Sequence, residues 1–217
     1  MKINKVVGID LGTTNSLASI MDLNDRELIT YKDDYGRYLV QSVVAHNPNA
    51  KEEKEKIIVG LPAFKRRGTA PEPVVSVKRL MGRNDTIKMG PNDMTPEQIS
   101  AKILEECVRQ LREEATKKNP SLVIDRAIIT VPAYFQENQI NATVEAGRIA
   151  NLEVMEVLQE PTAAAIYYSW KHNLMDATFM VYDLGGGTFD VSIVKRIAGE
   201  PKVLGVSGNN FLGGDDF

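Results

Sequence analysis

The chain predicts an α/β fold in which parallel strands are joined by helical crossovers. Two observations carry that expectation. In its second half, short apolar runs bounded by turn residues alternate with segments of helical periodicity. One short phrase, Asp-Leu-Gly at the end of an apolar run, stands at 10–12 and again at 183–185. The 217 residues, 43% hydrophobic and 25% charged, suffice for one large domain or two smaller ones around a buried core. A net charge of −3 leaves no overall basic field for nucleic acid or anionic lipid. The clusters Lys65-Arg66-Arg67 and Lys78-Arg79 read as solvated helix faces. One cysteine excludes an internal disulfide framework, and no apolar run approaches the ~20 residues that span a bilayer. With no secretory segment ahead of the first strand-like run, the expected location is cytoplasmic.

Taken in order, apolar runs at 5–9, 17–21 and 39–45 read as strands, followed by a charged loop at 47–56 and a short strand at 57–59. The clearest helix opens at Thr95. Thr95-Pro96-Glu97-Gln98 places a hydroxyl at the N-cap, proline at the first helical position and glutamine at the third, a capping box. Ile99, Ile103, Leu104, Cys107, Val108 and Leu111 then mark one face, so Cys107 is expected as a buried, inert thiol. A strand at 127–131 is closed by Pro132, and a helix over 136–150 and a strand at 154–158 follow. Pro161 opens a third helix, on which Tyr167, Tyr168 and Trp170 read as core and rim. His46 and His172 have no companion at metal-ligand spacing and read as surface residues. Strands at 178–183, 189–197 and 202–207 complete the chain.

Both copies of the phrase sit between two apolar runs, 5–9 and 17–20 around the first, 179–182 and 191–194 around the second. Each therefore reads as a β-hairpin with a glycine-bearing turn. Such turns expose backbone N–H groups in a concave anion site, and Thr13, Thr14 and Thr188 add hydroxyl donors. Two of them facing each other would clamp one polyphosphate. Asp10, Asp183 and Asp190 would repel that ligand, since like charges ~4 Å apart cost about 4 kcal/mol at an effective dielectric near 20. A cation between carboxylates and phosphates resolves the conflict, as Mg²⁺ does in phosphoryl-transfer sites. Neither a P-loop nor a G-x-G-x-x-G fingerprint is present.

The stretches GIDLGTTNS, VGLPA, KRLMGR, ITVPAYF, AGRIANLEV, EPTAAA, YDLGGGTFDVSIV and NNFLGGDDF, in that order, resemble the landmarks of the DnaK-type, seventy-kilodalton heat-shock chaperone family. The resemblance implies the first part of that family's ATPase domain, of actin-like (ribonuclease H-like) fold. Residues 1–175 would be its first lobe and 176–217 the beginning of a second lobe that the family continues further. It implies ATP/ADP as ligand, with Mg²⁺ and K⁺. Asp10, Gly12, Thr13 and Thr14 would form the first phosphate site and Gly185, Gly186, Gly187 and Thr188 the second, with Gly213 and Gly214 nearby. Asp10, Asp183 and Glu160 would serve the metal. Glu160, Asp183, Thr188 and Asp190 would take part in hydrolysis, Glu160 and Asp190 by holding or positioning water. The implied partners of a longer protein are unfolded peptides, a J-domain co-chaperone and a nucleotide-exchange factor.

Three departures from the family's pattern are visible. Its cleft lysine, counted from Gly60, falls on Phe64, with Lys65 one place on as the expected catalytic cation. Its relay cations are replaced by Ile140, Val144 and Glu156, and the segment 83–95 is short. Two other readings share the architecture: a non-catalytic nucleotide- or partner-binding module, and a sugar or acetate kinase. Apolar residues of the last three strands, among them Val181, Val191, Ile193, Val203 and Leu204, are expected to lack cover and to promote self-association.

Overall fold

The computed structural model describes residues 3–22, 27–30, 36–52 and 55–217. Strand β1 (Ile3–Asp10) lies antiparallel to β2 (Asn15–Asp22), which pairs antiparallel with β3 (Glu27–Thr30) and β4 (Val40–Gln41). On its other side β1 pairs in parallel with β9 (Leu122–Val131), and β9 in parallel with β10 (Glu153–Gln159). The order across this mixed sheet is β10-β9-β1-β2-β3. The expected parallel pairing with helical crossovers is therefore present: α2 (Pro96–Lys118) precedes β9, and α3 (Glu137–Ile149) joins β9 to β10.

The capping box forms as read. Gln98 N–H donates to Thr95 Oγ1 at 3.3 Å, and Thr95 N–H to Gln98 Oε1 at 2.9 Å. Ile99, Ile103, Leu104, Cys107, Val108 and Leu111 are all buried, in one core with Val7 and Ile9 of β1 and Ala127 and Ile129 of β9. Full burial of each large aliphatic side chain contributes about 1.5–3 kcal/mol, which fixes the helix against the sheet. Burial also pushes the Cys107 thiol upward, keeping it protonated and inert.

One expected strand divides. The run 39–45 forms β4 and then β5 (Val44–His46), which pairs with β6 (Ile57–Val59) instead of the main sheet. The break falls at Ser42, whose N–H and hydroxyl are used by the first hairpin turn, as described below. A short helix α1 (Leu61–Phe64) and a 3-10 turn (Val77–Leu80) follow, then the hairpin β7 (Ile87–Met89) and β8 (Asn92–Met94). Of the charged loop, residues 53–54 lie outside the described residues.

Helix α4 (Glu160–Lys171) begins directly after β10, with Pro161 in its first turn. Its aromatic residues are rim and not core: Tyr167, Tyr168 and Trp170 are 45%, 51% and 42% exposed. Beyond it β11 (Ala177–Leu184), β12 (Phe189–Ile197) and β13 (Glu200–Asn209) form a separate antiparallel meander, ended by a 3-10 turn at Gly214–Asp216. The chain thus builds the same motif twice, β1-β2-β3 and β11-β12-β13, with an Asp-Leu-Gly turn in the first hairpin of each.

Candidate functional site

The two turns meet. In the ladders, Asp10 stands opposite Leu17 and Asp183 opposite Asp190, so residues 11–14 and 185–188 close the two hairpins. A Cβ at Gly186 would lie 1.7 Å from Thr14 Oγ1, and one at Gly187 would lie 2.4 Å from Thr13 Cγ2. Side chains at those places would drive the turns apart, so glycine is what lets them touch. Between them opens a cavity of about 610 Å³. Asp10, Gly12, Thr13, Thr14, Lys78, Glu160, Asp183, Gly185, Gly186 and Thr188 are among the residues that line it.

Each turn is held from behind by its carbonyls. Ser42 Oγ donates to Gly12 O at 2.7 Å and Ser42 N–H to Thr14 O at 2.8 Å. In the second turn Gly214 N–H donates to Gly185 O at 2.9 Å, Asp215 N–H to Gly186 O at 2.8 Å, and Arg79 Nε–H to Gly187 O at 3.1 Å. A trans peptide places its N–H opposite its carbonyl. With three successive carbonyls drawn to one side, the N–H groups of Gly186, Gly187 and Thr188 turn to the other, and Gly186 and Thr188 line the cavity. Among the described residues these three donors find no hydrogen-bond partner. A row of unsatisfied N–H groups around a concavity is an anion cradle.

Three carboxylates, Asp10, Glu160 and Asp183, share the cavity wall with one cation, Lys78, and a fourth, Asp190, lies behind it. Glu160 receives a 2.7 Å hydrogen bond from Lys78 Nζ, and the two side chains are only 15% and 6% exposed. Thr130 Oγ1 donates to Asp10 Oδ1 at 3.4 Å. Asp190 is 2% exposed and its Oδ1 has no partner among the described residues. Burial raises the pKa of Asp10, Asp183 and Asp190, the last to about 6; Glu160 adds to each rise and Lys78 opposes it. A raised folded-state pKa means stability that is present below the unfolded value near 4 and lost as pH climbs through about 6. At neutral pH the folded chain therefore holds these charges at a cost that a cation would relieve.

The donor set suits Mg²⁺ in a particular manner. Among the described residues, no three His, Cys, Asp or Glu side chains stand close enough to enclose an ion. Mg²⁺ characteristically keeps several waters and takes one or two carboxylates together with ligand phosphates. A cleft of raised-pKa carboxylates facing an anion cradle fits that habit.

Lys65, expected as the catalytic cation, is not brought to the cavity: it is exposed at the C-terminal end of α1. The cavity's lysine is Lys78, from the 3-10 turn, 5% exposed. The reading of Lys78-Arg79 as a solvated face is corrected, because both side chains are turned inward onto Glu160 and Gly187. The signal available was KRLMGR itself, one of the stretches that carry the family resemblance. Glu160, Asp183, Thr188, Asp10, Gly12, Thr13, Thr14, Gly185 and Gly186 line the cavity; Gly187, Gly213, Gly214 and Asp190 stand immediately behind it. Ile140, Val144 and Glu156 lie outside it, with Val144 and Glu156 exposed.

Comparison with known proteins settles the family. The family model described as Hsp70 protein matches residues 6–89 and 84–217. The chain belongs to the Hsp70 family. Curated relatives include "Chaperone protein DnaK" of Mesomycoplasma hyopneumoniae, 43% identical over 98% of this chain, and that of Halobacterium salinarum, 41% identical over 100% of it. The DnaK of Mycoplasma mobile is 42% identical over 98%. Each alignment covers 33% of the relative, so the chain spans about a third of the length of the curated Hsp70 proteins it matches. Hsp70 membership carries the actin-like ATPase fold, with which the mixed sheet agrees. It favours neither the kinase reading nor the non-catalytic one.

Proposed function

We propose that this chain is the ATP-binding and ATP-hydrolysing module of a DnaK-type chaperone, with the phosphates held between the turns at 11–14 and 185–188. The single observation that carries the proposal is the N–H groups of Gly186 and Thr188, without partners among the described residues and on residues that line a cavity rimmed by carboxylates. Residues 1–175 act as the first lobe and 176–217 as the start of the second. Asp10, Asp183 and Glu160 would hold Mg²⁺, and K⁺ would accompany it. Thr13, Thr14, Gly12, Gly185, Gly213 and Gly214 shape the phosphate site. When bound, Mg²⁺ neutralises phosphate charge. Lys78 holds a positive charge at the cavity wall, Glu160 keeps that lysine in place, and Asp190 accepts a hydrogen bond from water at its orphaned oxygen.

In a longer protein the partners are unfolded peptides, a J-domain co-chaperone and a nucleotide-exchange factor, and the location is cytoplasmic. The buried free thiol of Cys107 is compatible with a reducing compartment. Calorimetric titration of the 217-residue chain with Mg-ADP tests the site. Saturable one-to-one binding is expected, abolished by replacing Gly186 with valine; heat no greater than that of dilution would end the proposal.

Self-association follows from the outer face of the second meander. Met180, Tyr182 and Leu184 are 69%, 63% and 51% exposed, and Ile193, which stands opposite Met180 in the ladder, is 36% exposed. A contiguous apolar face of this kind tends to find a partner, and in a preparation of this chain alone the available partner is a second copy. Light scattering is expected to show a mass that rises with concentration. Met180→Lys with Tyr182→Lys should return it to the monomer value, and a wild-type mass constant across concentrations would exclude the association.

A further inference from the structure

We propose that Arg79 is a positioning residue for the second turn, aiming the Thr188 N–H into the cavity from outside it. The inference rests on the nucleotide reading of the cavity. Arg79 belongs to the 3-10 turn between α1 and β7, yet its guanidinium reaches residues more than a hundred positions away. Its Nε–H donates to Gly187 O at 3.1 Å, and its Nη1 donates to Asp216 Oδ1 at 3.0 Å; Nη2 bonds the other carboxylate oxygen. The carboxylate is thus gripped by both terminal nitrogens while the third donor takes the turn's carbonyl, a use of the planar fork that lysine cannot copy.

Asp216 is itself committed. Its Oδ2 accepts the Gly213 N–H at 2.8 Å, and the two residues between them are those whose N–H groups hold Gly185 O and Gly186 O. The guanidinium therefore fixes all three carbonyls of the turn, one directly and two through the segment 213–216. Asp216 is held ionised well below the ordinary carboxylate range by hydrogen bonding to Arg79. Space agrees with this account: a Cβ at Gly187 would lie 2.8 Å from Arg79 Nε, so the turn has been kept bare where the guanidinium presses on it. A second strut runs parallel, with Thr14 and Ser76 hydroxyls donating to Asp215 Oδ2 at 3.2 and 3.3 Å. Arg83 adds a third cross-contact, 5.7 Å from the Phe211 ring centre.

The consequence is specific to the Gly187–Thr188 peptide. Gly185 O and Gly186 O have backbone donors, and among the described residues Gly187 O has only Arg79. Loss of the guanidinium frees that peptide to rotate and withdraw the Thr188 N–H from the ligand. The carbonyl would then seek water, and the cradle would lose the Thr188 donor.

The test compares wild type, Arg79→Ala, Arg79→Lys and Asp216→Asn in the 217-residue chain. Backbone ¹⁵N relaxation of the amides at 185–188 is read in the absence of ligand, and Mg-ADP affinity is read by calorimetry. Arg79→Ala is expected to lower the Thr188 amide order parameter into the flexible range, below about 0.6, and to weaken Mg-ADP tenfold to a hundredfold. Arg79→Lys should regain most of the thermal stability through Asp216 and still leave the mobile amide and weak binding. Asp216→Asn should loosen 213–216 as well. Recovery of stability, rigidity and affinity in step with lysine would show an ordinary structural ion pair and overturn the proposal. So would an unchanged order parameter at Thr188 in Arg79→Ala. Should wild type bind no Mg-ADP, the nucleotide reading fails on its own, and the relaxation data alone decide whether Arg79 sets the turn.

Discussion

Replacing Lys78 by methionine is expected to destabilise the folded chain by about 3–5 kcal/mol, the cost of leaving a buried partner charge uncompensated. The partner is Glu160, 15% exposed, in a wall that also holds Asp10 and Asp183, with Asp190 behind it. Lys78 is the one positive charge that lowers the pKa of all three aspartates. Removing it leaves four carboxylates together. Urea unfolding should show the loss, and adding Glu160→Gln should restore most of it, because a neutral amide no longer needs the ammonium. A double mutant as unstable as the single one would mean that Lys78 acts through packing and not through charge. Turnover should respond separately: loss of one well-placed charge stabiliser costs about 10²–10³ in rate in comparable sites. Lys65→Ala, on the exposed end of α1, should stay within about 0.5 kcal/mol of wild type in stability.

The second large effect concerns the metal. ADP titrated in EDTA is expected to bind about 10³-fold more weakly than Mg-ADP, since one unscreened carboxylate–phosphate pair costs about 4 kcal/mol at ~4 Å. The carboxylates cannot simply step aside. Asp10 ends β1, Asp183 is paired within the β11–β12 ladder opposite Asp190, and Glu160 opens α4. Backbones fixed in sheets and a helix hold the negative charge where the phosphates would come. Mn²⁺ should substitute for Mg²⁺, and equal affinity with and without a divalent ion would remove the two-turn clamp from consideration. Asp10→Asn should reduce the gap between the two titrations, because it removes repulsion and a metal-side oxygen together.

Much of this architecture was legible because the signals are local. The Asp-Leu-Gly phrase between apolar runs fixes a hairpin within about a dozen residues, and Thr95, Pro96 and Gln98 define a helix start within four. What escaped was set by distant contacts. Counting forward from Gly60 points to Phe64 and Lys65, but α1 and an irregular segment intervene, and the cleft cation arrives on the 3-10 turn at Lys78. The run at 39–45 looks like one strand by its apolar residues. Its polar centre, Ser42, bonds the first turn through both backbone and hydroxyl and divides it. Glu27–Thr30 lacks enough apolar periodicity to stand out and forms β3 only through the register β2 offers.

The wide sequence separations within the site also govern when it can exist. Lys78 and Glu160 are 82 positions apart, and Thr14 and Asp215 are 201 apart. At ribosomal speeds of about 5–20 residues per second, Asp215 is polymerised about 10–40 s after Thr14. Throughout that interval the first Asp-Leu-Gly hairpin can form by itself while its counterpart does not yet exist. On the proposed reading, a nascent chain therefore carries only half of the clamp until the second turn has been made.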